Sequence, residues 1–123
     1  MPSVAVIGAS TDRSKYGNKA VRAYIRQGYI VYPVNPNAST IEGLRAYKSV
    51  LDIPGPVDRV TMYLPPEVGI RVVPEIAEKK PKEFYVNPGA ESDELIARAE
   101  QHGLRPIIAC SMLAVGEDPA SFS

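Results

Sequence analysis

The residues Gly8, Ala9 and Ser10 lie where a buried strand gives way to a helix, and their types suit the binding of an anion. Glycine lets the backbone turn tightly, and the small side chains of the next two residues let a ligand approach the chain. The first N–H groups of the following helix have no intrahelical acceptors, and the helix dipole makes that end positive. Two cations, Arg13 and Lys15, follow in the same stretch. This combination is typical of a loop that holds a phosphate group.

The same segment differs from the usual fingerprint of a dinucleotide-binding loop. A G-x-G-x-x-G motif that begins at Gly8 would need glycine at the positions of Ser10 and Arg13. An NAD site would also need Asp or Glu near the end of the second strand, where this chain has Asn35 and Pro36. Both absences disfavour NAD. A tight turn without a ligand is the alternative interpretation, because a short glycine motif is weakly specific.

Strand and helix patterns alternate along the chain and predict a doubly wound α/β fold. We expect a Rossmann-like, mostly parallel sheet of about five to six strands with helices on both faces. The predicted strands are Val4–Ile7, Tyr29–Val34, Arg59–Leu64, Glu83–Asn87 and Arg105–Cys110, with a short edge strand at 45–48 and one helical turn at 49–52. The predicted helices are 17–27, 65–80 and 92–102, and their apolar stripes include Ile25, Val68, Val72, Ala77 and Ile96. A tail from Ser111 adds Met112, Leu113 and Val115 as packing residues.

Composition narrows the class of protein. A chain of 123 residues is expected to form one domain, 1–123, and to bury roughly two thirds of its unfolded surface. Fourteen basic and fourteen acidic residues give no net charge, which disfavours nucleic acid and membrane surfaces as partners. No long apolar run or room for a signal peptide is evident, and Cys110 is alone, so we expect a cytoplasmic protein. A homo-oligomer and an unidentified protein partner both remain open.

Residue types that could catalyse a reaction are few. His102 is the one histidine and precedes a helix-ending glycine, where it is expected to interact with the helix dipole. One cysteine and one histidine are too few for a metal cluster, and Cys110 is expected to pack as a small apolar residue. We therefore assign no catalytic residue and no metal ligand. The loops that leave the strands at 8–18, 35–37, 64–66 and 87–90 instead predict a shaped groove at one edge of the sheet.

Several segments resemble the small stand-alone CoA-binding domain proteins, which are similar to the N-terminal CoA-binding domain of the succinyl-CoA synthetase alpha subunit. The matching segments are Val4–Ser10, Lys15–Asn18, Gly28–Pro36, Pro54–Asp58 and Pro65–Pro66. The most specific element of the resemblance is Gly-Ala-Ser followed one strand-helix-strand unit later by Pro-Val-Asn-Pro. The sequence around Cys110 departs from many relatives, which puts a role for this thiol in doubt.

The resemblance implies coenzyme A as the ligand and assigns its neighbours by position. Gly8, Ala9, Ser10 and Thr11 would line the pyrophosphate, and Arg13, Lys15, Tyr16, Gly17 and Asn18 would border the nucleotide. Val34, Asn35 and Pro36 would flank the adenosine, and Leu64, Pro65, Pro66 and Val68 would close the groove. The synthetase carries its phosphorylated histidine on a second domain, which these residues do not include, so full ligase activity is not expected.

Three functions therefore compete. The leading hypothesis is a binding protein for CoA or acyl-CoA that acts as a regulatory or carrier module and not as an enzyme. The alternative is an enzyme, either a nicotinamide-dependent reductase or one component of a split acyl-CoA synthetase. A third interpretation is an interaction domain with a vestigial groove, which the two cations after Gly8 disfavour.

Overall fold

The computed structural model describes residues 1–122 and shows the alternating strands and helices that the sequence predicts. The strands are β1 Ser3–Ile7, β2 Ile30–Val34, β3 Thr40–Ile41, β4 Leu44–Arg45, β5 Arg59–Met62, β6 Glu83–Val86 and β7 Pro106–Ile108. The α-helices are α1 Tyr16–Arg26, α2 Pro66–Lys79, α3 Asp93–Gln101 and α4 Ser111–Ala114, and 3-10 turns span Val50–Asp52 and Pro119–Phe122. Within the described range, no helix has both the length and the apolar character that crossing a membrane requires.

Five strands form a parallel sheet in the order β2-β1-β5-β6-β7, so the predicted fold class is confirmed. All five residues of β1 are buried, as expected for a central strand covered on both faces. Alternate residues of β1 enter different cores. Ala5 and Ile7 pack in a cluster that includes residues of α2 and α3, whereas Val4 and Val6 pack in a cluster that includes residues of α1 and α4. Helices therefore cover both faces of the sheet.

The segment predicted as an edge strand at 45–48 has a different structure. Leu44–Arg45 pairs antiparallel with Thr40–Ile41, and Glu42 and Gly43 form the two-residue turn with positive φ angles of 50° and 78°. Two positive φ angles are what a tight hairpin requires. Only Tyr47 reaches the main sheet, where it forms a single parallel bridge to Val34. The helical turn predicted at 49–52 is present as the 3-10 turn Val50–Asp52.

At the carboxyl edge of the sheet, some strands end earlier than the sequence predicts. β5 ends at Met62 and not at Leu64, and β7 ends at Ile108 and not at Cys110. In both places one more backbone bond follows the ladder, since Tyr63 N–H donates to Ile7 O and Ala109 N–H donates to Val86 O. β2 begins at Ile30, one residue later than predicted, and its pairing continues through Val34, the predicted end. The chain leaves the sheet into loops at this edge.

Three apolar residues predicted to pack are exposed. Ile25 lies in the last turn of α1 at the margin of its buried face, and 43% of it is exposed. Leu113 is exposed because α4 is a single turn, which buries Met112 on its inner side. Val68 in the first turn of α2 is exposed at the edge of the sheet where the strands end. Val72, Ala77, Ile96 and Val115 are half-buried.

The C-terminal segment is attached to α1 by charged contacts. Gln27 Nε2 donates to Glu117 Oε2 at 2.6 Å and Arg26 Nε donates to the same oxygen at 3.1 Å. The Phe122 ring lies near the guanidinium groups of both Arg22 and Arg26, with its centroid 5.5 and 4.5 Å from their central carbons. Hydrogen bonds from Arg26, and next from Gln27, lower the pKa of the Glu117 carboxyl to about 2.

We predict that replacing Glu117 by Gln lowers the melting temperature at neutral pH, and that this loss becomes smaller in acid. A carboxyl whose pKa falls on folding stabilises the fold above its unfolded value near 4.5, and this contribution is lost as the pH falls toward 2. The gap between parent and Glu117→Gln should therefore shrink between pH 4.5 and pH 2 in thermal scans. Glu78→Gln, on an exposed position of α2, is the matched control. A gap of equal size at both pH values would contradict this role.

Candidate functional site

A groove of about 760 Å³ opens at the carboxyl ends of β1, β2 and β5. Two predicted loops and the start of α1 form one side of it, and the loop after β5 and the start of α2 form the other. Its lining residues are Ile7, Gly8, Ala9, Ser10, Ser14, Lys15, Tyr16, Gly17, Val34, Asn35, Pro36, Asn37, Lys48, Tyr63, Leu64, Pro65, Val68 and Val72. In doubly wound sheets, ligands bind at the edge where the carboxyl ends of the strands lie.

The turn out of β1 requires glycine at position 8. Gly8 has a φ of +88°, and its N–H donates to Val34 O at 3.2 Å. A Cβ on Gly8 would lie 3.1 Å from the backbone nitrogen of Leu64 and from the carbonyl carbon of Tyr63. The backbone conformation strains any other residue here, and a Cβ would also crowd the neighbouring chain.

The helix after the turn begins against the same glycine. A Cβ on Gly17 would lie 2.1 Å from Gly8 O, so the first turn of α1 contacts the backbone of the loop directly. Within the described part of the chain, no acceptor is found for the backbone N–H groups of Ala9, Ser10, Tyr16 and Gly17. All four residues line the groove. The loop and the start of α1 therefore offer several hydrogen-bond donors, and the helix dipole adds positive potential there.

Two asparagine side chains hold this loop in place. Asn35 Nδ2 donates to Ala9 O at 2.8 Å, and Asn18 Nδ2 donates to Ser10 O at 2.9 Å. Asn18 is fully buried, and its Oδ1 accepts a bond from Arg22 Nε at 2.8 Å. Because the carbonyls of the loop are already bonded to amides, the loop conformation is formed before any ligand is bound.

The positive charge of the groove comes from lysine. Lys15 and Lys48 both line it, and neither has a carboxylate within 4.0 Å among the described residues. Arg13 does not line the groove, since its Nε lies 3.5 Å from Glu42 Oε2. Asp12 lies in the loop that carries Lys15. Bonds from the side chain and backbone of Ser14, and more weakly the charge of Lys15, lower the pKa of that carboxyl.

Most residues predicted for the site lie in the groove, but their contacts with a ligand stay a prediction. Twelve of the sixteen line it, and the four that do not are Thr11, Arg13, Asn18 and Pro66. The predicted loop 87–90 is also absent from the lining, because Asn87 is buried and bonded to Thr61 and Ser111. Six further residues line the groove. Ser14 and Asn37 belong to loops predicted to shape it, whereas Ile7, Lys48, Tyr63 and Val72 were not predicted to lie there.

The groove has few groups that could transfer a proton or attack a bond. Its described lining contains no His, Cys, Asp or Glu. Tyr63 lies within its wall, and burial raises the pKa of its hydroxyl far above the usual value. His102 is exposed at the end of α3, and Cys110 is half-buried before α4. No cluster of three or more metal-ligand side chains occurs among residues 1–122. The arrangement suits binding of an anionic ligand.

Comparison with known proteins agrees with this geometry. Residues 2–116 match the family model described as the CoA binding domain. The chain belongs to this family. The resemblance to CoA-binding domains noted in the sequence is thereby confirmed, and the matched residues include the whole groove.

Relatives of this CoA-binding domain include large ligases and a protein of similar size. The chain is 36% identical to the ADP-forming acetate–CoA ligase II of Archaeoglobus fulgidus over 84% of its length, and 35% identical to the alpha subunit of the Pyrococcus furiosus ligase II over 85%. It spans only 17% and 25% of those proteins. A conserved hypothetical protein from Pyrococcus furiosus has a similar structure, with a TM-score of 0.84 at 37% identity, over 93% of this chain and 99% of that one.

We predict that Gly17→Ala destabilises the CoA-binding domain by about 2 to 3 kcal/mol, although alanine favours helices. The new methyl group would meet backbone, which cannot rotate away. Gly69→Ala in α2 is the matched control, because its Cβ would meet the flexible end of Met62, with Sδ at 2.7 Å, and Leu95 Cδ1 at 3.0 Å. Urea unfolding should show the larger loss for Gly17→Ala. Equal stability of the two variants would contradict the close contact between α1 and the loop.

Proposed function

We propose that this CoA-binding domain binds coenzyme A, free or acylated, in the groove at the carboxyl edge of the sheet, and acts as a regulatory or carrier module. The observation that carries the proposal is the combination of unbonded N–H groups at the start of α1 with Lys15 beside them. A diphosphate needs several donors and a positive charge, and both are present. Membership in the family supports the same ligand.

The opposite wall of the groove suits the rest of the ligand. Leu64, Pro65, Val68 and Val72 form an apolar surface, and 37% of Val68 is exposed. Coenzyme A carries a long, weakly polar arm beyond its diphosphate, and covering apolar side chains with it removes them from water. The groove volume of about 760 Å³ lies within the usual range for small-molecule sites. Polar and apolar halves of the groove therefore match the two halves of the ligand.

The nicotinamide alternative is less well supported by the residues after β2. The expected acid is replaced by Asn35, whose amide nitrogen bonds to Ala9 O. Within the described lining of the groove there is no carboxylate that could accept bonds from ribose hydroxyls. A reductase would therefore have to bind its cofactor without the contact that usually selects NAD.

The second candidate function is that of one component of a split acyl-CoA synthetase. It is favoured by the similarity to a protein named as the alpha subunit of an acetate–CoA ligase. The described lining of the groove contains no His, Cys, Asp or Glu, so in such an assembly this domain would hold CoA while a partner chain supplies the reaction. The same groove serves both candidates. An acyl-CoA synthetase assay of the chain alone and together with co-purifying proteins separates them.

The test of the proposal is a thermal shift with CoA, NAD and NADP at equal concentration. A ligand that binds only the folded form stabilises it by about 2.7 kcal/mol at a hundredfold excess over its Kd, so CoA should raise the melting temperature clearly. NAD and NADP should not. A larger shift with NAD than with CoA would contradict the proposal.

A lysine variant and a matched arginine variant test where the diphosphate of CoA binds. Lys15→Ala should weaken CoA binding by about 1.5 to 3 kcal/mol, because a charge-assisted bond is lost, and should flatten its dependence on salt. Arg13→Ala should have a smaller effect, because Arg13 lies outside the groove lining and beside Glu42. Identical affinities and salt slopes for the parent and both variants would place the diphosphate elsewhere.

A further inference from the structure

The side chain of Arg22 connects the C-terminal segment to the loop between β1 and α1. Arg22 Nε donates to Asn18 Oδ1 at 2.8 Å, and Arg22 Nη2 donates to Arg13 O at 2.8 Å. The same Nη2 also donates to Phe122 O at 2.7 Å, across 100 residues of sequence. One guanidinium therefore joins the start of α1, the loop that precedes it and the C-terminal segment.

The bond from Arg22 to Asn18 supports the donor surface of the groove. Asn18 is fully buried, and its Nδ2 donates to Ser10 O at 2.9 Å. A guanidinium can only donate hydrogen bonds, so Arg22 requires the Asn18 oxygen on its own side, which leaves the amide nitrogen facing Ser10 O. Without Arg22 the buried Asn18 oxygen would lose this donor, and an unbonded buried acceptor is costly. Arg22 therefore stabilises the amide orientation that holds the loop.

Residues 117–122, which we call the C-terminal clasp, hold Arg22 in this position. The side chains of Glu117 and Phe122, at the two ends of the clasp, are both buried. Glu117 accepts a bond from Arg26 of α1, and the Phe122 ring lies near both arginines. An arginine side chain has many rotamers, and contacts on its far side reduce the number that it can adopt. The clasp therefore favours the Arg22 conformation that reaches the loop.

The clasp is separate from the groove and from the part of the chain that defines the family. Neither Arg22 nor any residue of the clasp belongs to the described lining of the groove. The clasp also lies beyond residues 2–116, which match the family model, so membership in the family does not account for it. An effect of the clasp on ligand binding would therefore pass through α1 and the loop.

We propose that Arg22 is a positioning residue for the loop between β1 and α1 and that the C-terminal clasp controls it, so that docking of the clasp and binding of CoA strengthen each other. This inference rests on the proposed function, because it assumes that CoA binds at the start of α1. A ligand that requires one loop conformation binds more weakly as that conformation becomes less populated. The coupling is reciprocal, so bound CoA also holds the clasp more firmly on α1.

The first measurement is the Kd of CoA, by calorimetry, for variants of the clasp and of Arg22. Phe122→Ala removes the ring near both arginines without changing the charge, and it should raise the Kd about threefold or more, because the competent loop is populated less. Arg22→Ala should raise the Kd about tenfold for the same reason. Arg22→Lys should restore only part of the loss, since lysine keeps the charge but has no planar guanidinium with separate Nε and Nη donors.

Two control variants separate this role from charge and from general stability. Arg98→Ala removes one positive charge from α3, where Arg98 Nη2 lies 3.9 Å from Glu94 Oε1. Leu104→Ala removes apolar packing from the core on the other face of the sheet. Both should leave the Kd of CoA within about twofold of the parent value, because neither site shares contacts with the loop. A loss in Arg98→Ala as large as in Arg22→Ala, or full affinity in Arg22→Lys, would overturn the positioning role.

The second measurement follows the clasp itself by hydrogen exchange. The Ser121 amide is bonded to Asp118 O, and the Gly103 amide, just after α3, is bonded to Glu100 O. Saturating CoA should slow exchange at Ser121 about threefold or more and leave Gly103 unchanged, because only the clasp is linked to the loop. In Arg22→Ala, at a CoA concentration that saturates this variant, the effect at Ser121 should disappear. A residue that only stabilises the fold would not transmit this change.

The outcomes distinguish this inference from the proposed function. If the parent binds CoA and Phe122→Ala binds it equally well, or if CoA leaves exchange at Ser121 unchanged, the coupling is overturned and the groove remains the CoA site. A loss of affinity in Leu104→Ala as large as in Phe122→Ala would show a general effect of stability and would also overturn the coupling. Absence of CoA binding by the parent would overturn the proposed function and this inference together. Phe122→Ala and the exchange measurement on the parent decide the question even if Arg22→Ala fails to fold.

Discussion

The site depends on one steric constraint, which is the contact between the backbone at Gly8 and the first turn of α1 at Gly17. At Gly17 a Cβ would collide with the Gly8 carbonyl oxygen, and at Gly8 it would be crowded by the backbone of residues 63–64 at a φ that strains other residues. Since α1 starts so close to the end of β1, its unbonded N–H groups lie beside those of the loop. The two sets of donors form one surface only because both residues are glycine. The positive end of the helix and the turn out of the strand therefore act on the same space.

Other residues of the site hold the loop in place and supply the charge and the apolar surface of the groove. Asn18 and Asn35 bond the carbonyls of Ser10 and Ala9, which keeps the loop in one conformation. The buried network of Thr61, Asn87 and Ser111 attaches α4 to the carboxyl ends of β5 and β6. Tyr63 Oη, 3.5 Å from Ser111 Oγ, connects this network to the wall of the groove. Lysines supply the charge, and apolar residues of α2 supply the opposite wall. Donors that are held in place before a ligand arrives suit the binding of an anion.

The parts of this site that depend on local sequence signals could be predicted from the sequence. The exit from β1 and the start of α1 follow from Gly8 and the residues after it, and the proline-rich start of α2 follows from its composition. Lys48 could not be predicted, because its position depends on the bridge between Tyr47 and Val34 across the sheet edge. The hairpin turn at Glu42 and Gly43 lacks the usual asparagine or aspartate signal. Arg13 has the right charge and position in sequence, but its guanidinium lies beside Glu42 and does not line the groove.

The central claim is that the backbone at the end of β1 and the start of α1 binds the diphosphate of coenzyme A. The most direct measurement is an NMR titration that follows backbone amide signals as CoA is added. The account predicts that the signals of Ala9, Ser10, Tyr16 and Gly17 shift most, because these N–H groups gain an anionic acceptor. Binding of CoA that leaves these four signals unchanged, with the largest shifts at the amino edge of the sheet near Arg59 and Arg105, would contradict it.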